Sequence, residues 1–220
     1  MKKEHYNKFD LHCHTTYSND ANITPKELVM QAKKVGLKGI ALTDHETTKG
    51  WSEALKEGKK QGIIVIKGEE RKVYFRKKKV GELIGLFLKK ELKSCEVMEV
   101  IEEIHSQKGL VIVPHPFDYF RNDFKDFKMV HQEVNAIEAL NARSFMTKFN
   151  DKAFAYAKKH KIAVVGGSDA HFKEEIGKAY TLTTAKNETE LKKEILAKKT
   201  MAEGITTGLI PHLKTFLKRF

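Results

Sequence analysis

Histidines and carboxylates fall into five short clusters: Asp10-Leu11-His12-Cys13-His14, Thr43-Asp44-His45, Gly68-Glu69-Glu70, Pro114-His115-Pro116 and Ser168-Asp169-Ala170-His171. These are the side chains that hold divalent ions, and a mixed His and carboxylate set suits Zn, Mn or Fe better than Ca or Mg. His12 and His14 are two residues apart, so on a strand they share one face. Asp169 and His171 repeat that spacing after Gly166-Gly167, a pair that allows close backbone approach. Two ions about 3.5–4 Å apart would hold a bridging hydroxide and clamp a phosphate.

Each cluster alone carries little weight. An isolated HxH pair usually means nothing, and a lone His between prolines, such as His115, is often a packing residue. Glu70 taken singly reads as a solvated glutamate, and Asp20, in the loop after the first cluster, as a turn residue. Their common position is the stronger signal, because four or more clusters end an apparent β-strand. His5, His105, His131, His160 and His212 lack that placement and read as surface or core residues.

The segments that would carry the clusters alternate. Phe9–His12 reads as a strand, followed by a helix with Thr24 as cap, Pro25 in the first turn and Glu27 completing a capping box. Leu28, Ala32 and Val35 form its apolar stripe, and Gly36 stops it. Strands are expected at Gly39–Thr43, Ile63–Ile66, Leu110–Val113, Ala136–Ala139, Ile162–Val165 and Tyr180–Leu182. Helices are expected around Trp51–Lys60, Ser94–Gln107 with Ser94 as cap, Lys148–Lys159, Asn187–Lys198 and Pro211–Lys218. Val73–Phe75 and Leu83–Leu88 read as a hairpin around a basic turn ending in Gly81. Residues 117–132, rich in Phe and Tyr, are placed over the site.

Roughly seven strands alternating with helices indicate an α/β fold, a distorted TIM-like (β/α)7 barrel with the site at the C-terminal mouth of the strands. The 220 residues suit one domain spanning 1–220, without repeats or linker. No apolar run is long enough to span a membrane and none reads as a leader, so a cytoplasmic location is expected. Cys13 and Cys95 make no disulfide framework, and Cys13 is expected to be a small buried hydrophobe facing away from its flanking histidines. The formal charge of +12 suits an anionic substrate. Only five of the 41 basic residues are arginine, and the one dense cluster is Arg71-Lys72 with Arg76 to Lys79.

In this order the clusters resemble the polymerase-and-histidinol-phosphatase (PHP) family of metal-dependent phosphoesterases. The resemblance rests on DLHCHT at 10–15, LTDH at 42–45, KGEE at 67–70, GELIGLFL at 81–88, VPHPFD at 113–118, IEALNAR at 137–143 and GSDAH at 167–171. It implies metal ligands at His12, His14, Asp20, His45, Glu70, His115, Asp169 and His171, choosing Glu70 over Glu69. Glu138 and Asn141 would join or line the site, with Asn141 and Arg143 toward substrate. His45, Asp169 and His171 are the candidates for proton handling. The resemblance implies two or three divalent ions. The hairpin stretch 81–88 has no histidine and only Glu82 as a potential ligand, so two are expected.

The expected reaction is hydrolysis of a phosphate ester, mono- or diester, on a small phosphorylated substrate or short nucleic acid. No membrane and no obligate protein partner are expected. Exonuclease-like action on nucleic acid ends stays open, with the patch at 71–79 tracking the backbone. So does a C–N hydrolase of the amidohydrolase type, which would want a bridging lysine; Lys67 stands three residues before Glu70. A metal-stabilised scaffold is the non-catalytic alternative.

Overall fold

The computed structural model describes residues 5–121, 124, 127, 130–208 and 215. Among them, nine strands run in the sheet order β7-β6-β5-β4-β3-β2-β1-β8-β9. The strands are β1 (Asn7–Cys13), β2 (Gly39–Leu42), β3 (Ile64–Phe75), β4 (Lys78–Leu86), β5 (Leu110–Val113), β6 (Ala136–Asn141), β7 (Ala163–Gly167), β8 (Ala179–Thr183) and β9 (Met201–Gly204). The helices are α1 (Pro25–Lys34), α2 (Trp51–Gln61), α3 (Val97–Ser106), α4 (Thr147–His160) and α5 (Glu188–Leu196). The sheet curls into a nearly closed, distorted barrel. It closes between β1 and the segment after β7, where Asp169 N–H donates to the His12 carbonyl (2.7 Å) and His14 N–H to the Ala170 carbonyl (2.9 Å).

Two apolar layers follow from strand alternation. Phe9, Leu11, Ala41, Ile66, Ile84, Leu86, Ile112, Ala136 and Val165 fill the barrel, and Leu191 and Ile195 of α5 plug one end. Ile40, Leu42, Val65, Leu83, Val111, Val113 and Ile137 face outward onto α1, α2 and α3. Cys13 belongs to this outer layer, as expected.

Several boundaries differ from the sequence reading. β1, β2 and β3 are mutually parallel, as are β5, β6 and β7, but β4 and β8 run antiparallel to their neighbours. A two-residue connection leaves no length for a crossover helix, so β4 must turn straight back on β3. β3 is also one continuous strand, not a short strand followed by a hairpin arm. Glu69 and Glu70 therefore lie within it rather than after it. The hairpin turns at Arg76 and Lys77, both at positive φ, while Gly81 (φ 154°) is inside β4 against Phe124.

At α1 the capping box forms, with Glu27 N–H donating to Thr24 Oγ1 (3.2 Å) and Thr24 N–H to Glu27 Oε2 (2.9 Å). Its buried face is Leu28, Val29 and Ala32, whereas Val35 is an exposed C-cap residue. α3 begins at Val97 with Glu96 as N-cap; Ser94 instead pairs its hydroxyl with Glu99. β9 was not anticipated, since Met201–Gly204 is a mostly exposed edge with no apolar alternation. The expected helix Pro211–Lys218 lies outside the described residues except for Thr215. No helix among the described residues is long and apolar enough to cross a membrane.

Candidate metal centre

Two register shifts build the mouth of the barrel. Phe9 and Leu11 point inward, so strict alternation would send His12 and His14 outward. The irregularity between Asp10 and Cys13 reverses this parity and turns both imidazoles to the axis, leaving Cys13 outside. β6 repeats the device between Glu138 and Leu140, so Asn141 joins Glu138 on the inner side. β3 needs no shift: Ile66, Gly68 and Glu70 share the inner face.

Five imidazoles then surround Glu70 and Asp169. His12 Nε2 and His14 Nε2 are 3.0 Å apart. Both lie 3.4–3.5 Å from Glu70 Oε2 and from Asp169 Oδ1. On one side, His45 Nδ1 is 3.0 Å from Glu70 Oε2, and Asp20 Oδ1 is 3.6 Å from His45 Nε2 and 3.4 Å from His171 Nε2. On the other, His115 Nε2 is 3.4 Å from Glu70 Oε1 and 3.8 Å from Glu82 Oε2. Three groups among the described residues bring candidate ligand atoms within 4.8 Å of one another: His14 with His45 and His171, His12 with His14 and Glu70, and Glu70 with Glu82 and His115.

Glu138 stands behind this array. Its Oε1 accepts from His12 Nδ1 (3.0 Å), and its Oε2 accepts from His115 N–H and Asn141 Nδ2 (both 2.9 Å). Asn141 Nδ2 also donates to Asp169 Oδ2 (3.1 Å). The glycine pair does permit close approach: a Cβ on Gly167 would sit 2.5 Å from His12 Cβ and 2.7 Å from Glu138 Oε1. His115 (φ 30°) and Asp169 (φ 56°) occupy the left-handed region, strain that is common where side chains are aimed for function.

The electrostatics call for cations. Burial opposes charge on His12, but Asp169, Glu138 and Glu70 outweigh it and raise its pKa well above the ordinary value. For His45 the same contest, with Asp20 and Glu70, ends at about 10. Burial and the neighbouring His14 drive His171 down to about 3. His14 is also lowered, by burial first and by the charge on His45 second. Glu70 and Asp169 stay well below the carboxylate range despite burial, chiefly through His12 for Glu70 and Arg121 for Asp169. Asp169 Oδ1 is buried and makes no hydrogen bond, although three imidazole nitrogens lie 3.4–3.5 Å away. Such an orphaned carboxylate oxygen, facing paired Nε2 atoms, fits divalent cations.

Thus the residues expected at the site, His12, His14, Asp20, His45, Glu70, His115, Glu138, Asn141, Asp169 and His171, do converge. Arg143 lies at its back, with Nε 3.3 Å from Glu175 Oε1 and Nη2 donating to Thr215 Oγ1 (2.6 Å). Arg121, one of the five arginines and not among the residues expected at the site, pairs its guanidinium directly with Asp169 and donates to Asn141 Oδ1 (3.3 Å). Its signal was VPHPFD: Asp118 is buried and accepts from Phe120 N–H and Phe145 N–H, anchoring the loop that carries Arg121. Of the aromatics in that loop, Phe124 and Phe127 pack into the outer core, while Tyr119 and Phe120 are exposed. Lys67 points to the outer side of β3, its Nζ 5.3 Å from the centre of the Trp51 ring.

The PHP domain model matches residues 10–200. The chain belongs to the PHP family. An uncharacterized protein of Methanocaldococcus jannaschii is 34% identical to it over 146 residues, covering 61% of this chain and 82% of its own. A probable phosphatase of Caldicellulosiruptor bescii is 21% identical over 225 residues, covering 90% and 93%. A two-domain protein of Bacteroides vulgatus containing a predicted PHP-like metal-dependent phosphoesterase superposes with a TM-score of 0.77 at 19% identity. That match covers 97% of this chain and 70% of the other, a likeness of fold. PHP membership makes a metal-dependent hydrolase of the phosphoesterase class the frame for this site.

Proposed function

We propose that the chain hydrolyses phosphate esters with divalent ions held by His12, His14, Asp20, His45, Glu70, His115, Asp169 and His171. The observation that carries this reading is the buried, unbonded Asp169 Oδ1 opposite the paired Nε2 atoms of His12 and His14. Ions held there would supply Lewis-acid activation of water and neutralise the charge that develops on the phosphoryl oxygens. Glu82, in a hairpin stretch without histidine, faces Glu70 and His115, and this third group favours a third ion over two. Zn, Mn and Fe suit this donor set.

The protein's own groups do the rest. In this reading Glu138 orients His12 and the His115 backbone instead of meeting an ion, because its oxygens are already engaged. Arg121, partly exposed beside Asp169, is placed to meet a phosphate oxygen, with Asn141 and Arg143 behind it. His45, Asp169 and His171 are the proton-handling candidates. Of these, His45 has 24% of its side chain exposed against 4% or less for the others, so it faces the leaving group most directly.

A phosphomonoester and a phosphodiester substrate, p-nitrophenyl phosphate and bis-p-nitrophenyl phosphate, test this directly. Turnover is expected with Zn, Mn or Fe and lost after chelation or in His12→Ala/His14→Ala. Unchanged hydrolysis in the double variant would overturn it.

A second reading, exonuclease-like action, draws on the continuity of β3. The strand carries Glu70 at the site and runs five residues further to the Arg76–Lys77 turn, about 17 Å away. Arg76 stacks over Phe75 there, and Lys77 and Lys78 are exposed. If this ridge tracks nucleic acid, catalytic efficiency should rise with oligonucleotide length and fall steeply with salt. Length-independent hydrolysis would remove this reading and leave the first intact.

A further inference from the structure

Asp44 stands beside His45 in the sequence, and its neighbourhood suggests an ion ligand. The structure instead engages it with the loop after β1. Asp44 Oδ1 accepts from Thr15 N–H (2.6 Å) and from the Ser18 hydroxyl (2.7 Å), and Oδ2 accepts from the Thr15 hydroxyl (2.6 Å). Both Asp44 and Ser18 are buried. Ser18 Oγ has two further contacts: the His45 backbone N–H at 3.0 Å and His14 Nδ1 at 3.3 Å.

The protons in this group can be counted. A serine hydroxyl has one proton and two acceptor lone pairs. The His45 N–H can only donate, so Ser18 accepts there. If the Ser18 proton pointed at His14 Nδ1, the serine and Asp44 oxygens would face each other at 2.7 Å as two acceptors. The proton therefore goes to Asp44, which Thr15 locks in place, and Ser18 has one lone pair left for His14. His14 Nδ1 must then carry its own hydrogen, which leaves Nε2 with the free lone pair. That Nε2 atom is the one 3.0 Å from His12 Nε2 and 3.4 Å from both Glu70 and Asp169.

We infer that Ser18, held by Asp44, is a positioning residue that fixes the Nδ1–H tautomer of His14 and so presents its Nε2 lone pair to an ion. The ion-binding half rests on the reading above, while the tautomer half does not. An outer group that fixes a ligand histidine in this way contributes about 10–100-fold to metal affinity. His12 has its own version in Glu138, so the two neighbouring imidazoles are oriented by unlike devices: a carboxylate for one, a carboxylate-anchored hydroxyl for the other.

The test uses the full chain with 15N-labelled histidine, read by long-range 1H–15N spectra at neutral pH before and after zinc is added. Wild type is expected to show His14 in the Nδ1–H form in both states. Ser18→Ala should mix the tautomers and weaken zinc binding, measured by chelator competition, by about 10–100-fold. Asp44→Ala should act in the same direction, since removing the oxygen shared by Thr15 N–H and Ser18 frees the serine proton to point at His14. Ser18→Thr should restore the wild-type spectrum. An Nε2–H tautomer in the wild type overturns the inference. So does a Ser18→Ala protein with a lower melting temperature but an unaltered tautomer, because Ser18 would then be only structural. If the tautomer shifts as expected while zinc fails to bind any variant, the ion reading falls and the positioning role stands.

Discussion

Phe9 and Leu11 face the barrel axis from the floor of β1, and immediately beyond them His12 and His14 face the same axis from its mouth. At the floor, strict alternation turns a packed set of aliphatic and aromatic strand residues onto the plug of Leu191 and Ile195. At the mouth, bulges break the alternation, glycine removes side chains and buried carboxylates crowd together. The floor follows the rule that apolar surface leaves water. The mouth violates that rule, since buried charge is costly without a partner. The candidate site lies where the stability rules are broken.

That contrast can be broken first at the mouth. Glu70→Gln should lower phosphoesterase activity by about 10³-fold, on the order of 4 kcal/mol of transition-state stabilisation, with the far-UV circular dichroism still native. Retained activity would remove Glu70 from the centre. The floor should respond the other way. Leu191→Ala, in a fully buried position, should cost about 2–5 kcal/mol in urea unfolding while kcat per folded molecule stays at the wild-type value. A fall in kcat without loss of stability would show that the two ends are coupled.

Glu69 and Glu70 sharpen the comparison within one strand. Glu69 faces outward, accepts from Leu92 N–H (2.9 Å) and lies 3.6 Å from Arg71, yet burial pushes its pKa up to about 7 from 4.5. A raised carboxyl pKa means that the protonated form is favoured in the fold. Its stabilisation is complete below about 4.5 and is lost as pH rises through about 7. Glu69→Gln, which mimics the protonated form, should match wild type at acid pH. Above pH 7 the variant should be more stable by up to about 3 kcal/mol in denaturant titrations. A constant difference across that range would mean that Glu69 does not titrate there. The smallest effect belongs to the capping box: Thr24→Ala should cost about 1 kcal/mol, read as a lower melting temperature with unchanged activity.

Much of this was legible in the chain. Thr24-Pro25-Lys26-Glu27 specifies a helix start through contacts three residues apart, and the start is where expected. The apolar runs of β1, β2, β5, β6 and β7 lie within a residue or two of their expected bounds because local composition carries the signal. Three features were not legible. β3 looked broken because Lys67 and Glu69-Glu70 interrupt its apolar pattern, and only pairing with β2 on one part and β4 along the rest makes it one strand. Glu82 was legible as a candidate ligand but not its place beside His115, and Arg121 reaches Asp169 through a loop that leaves no local period. Ser18 and Asp44 are 26 residues apart, and nothing in their spacing joins them.

The sequence by itself determined the ingredients: which segments are strands, which helices cover them, and which imidazoles and carboxylates accompany the strand ends, since these depend on residue type and short periods. The direction in which those side chains point was decided only by the tertiary structure. Parity along a strand reverses at a single register shift, and such shifts arise from pairing with neighbours far away in the chain. His12, His14, Glu138 and Asn141 therefore converge because β1 and β6 are bent by the sheet around them.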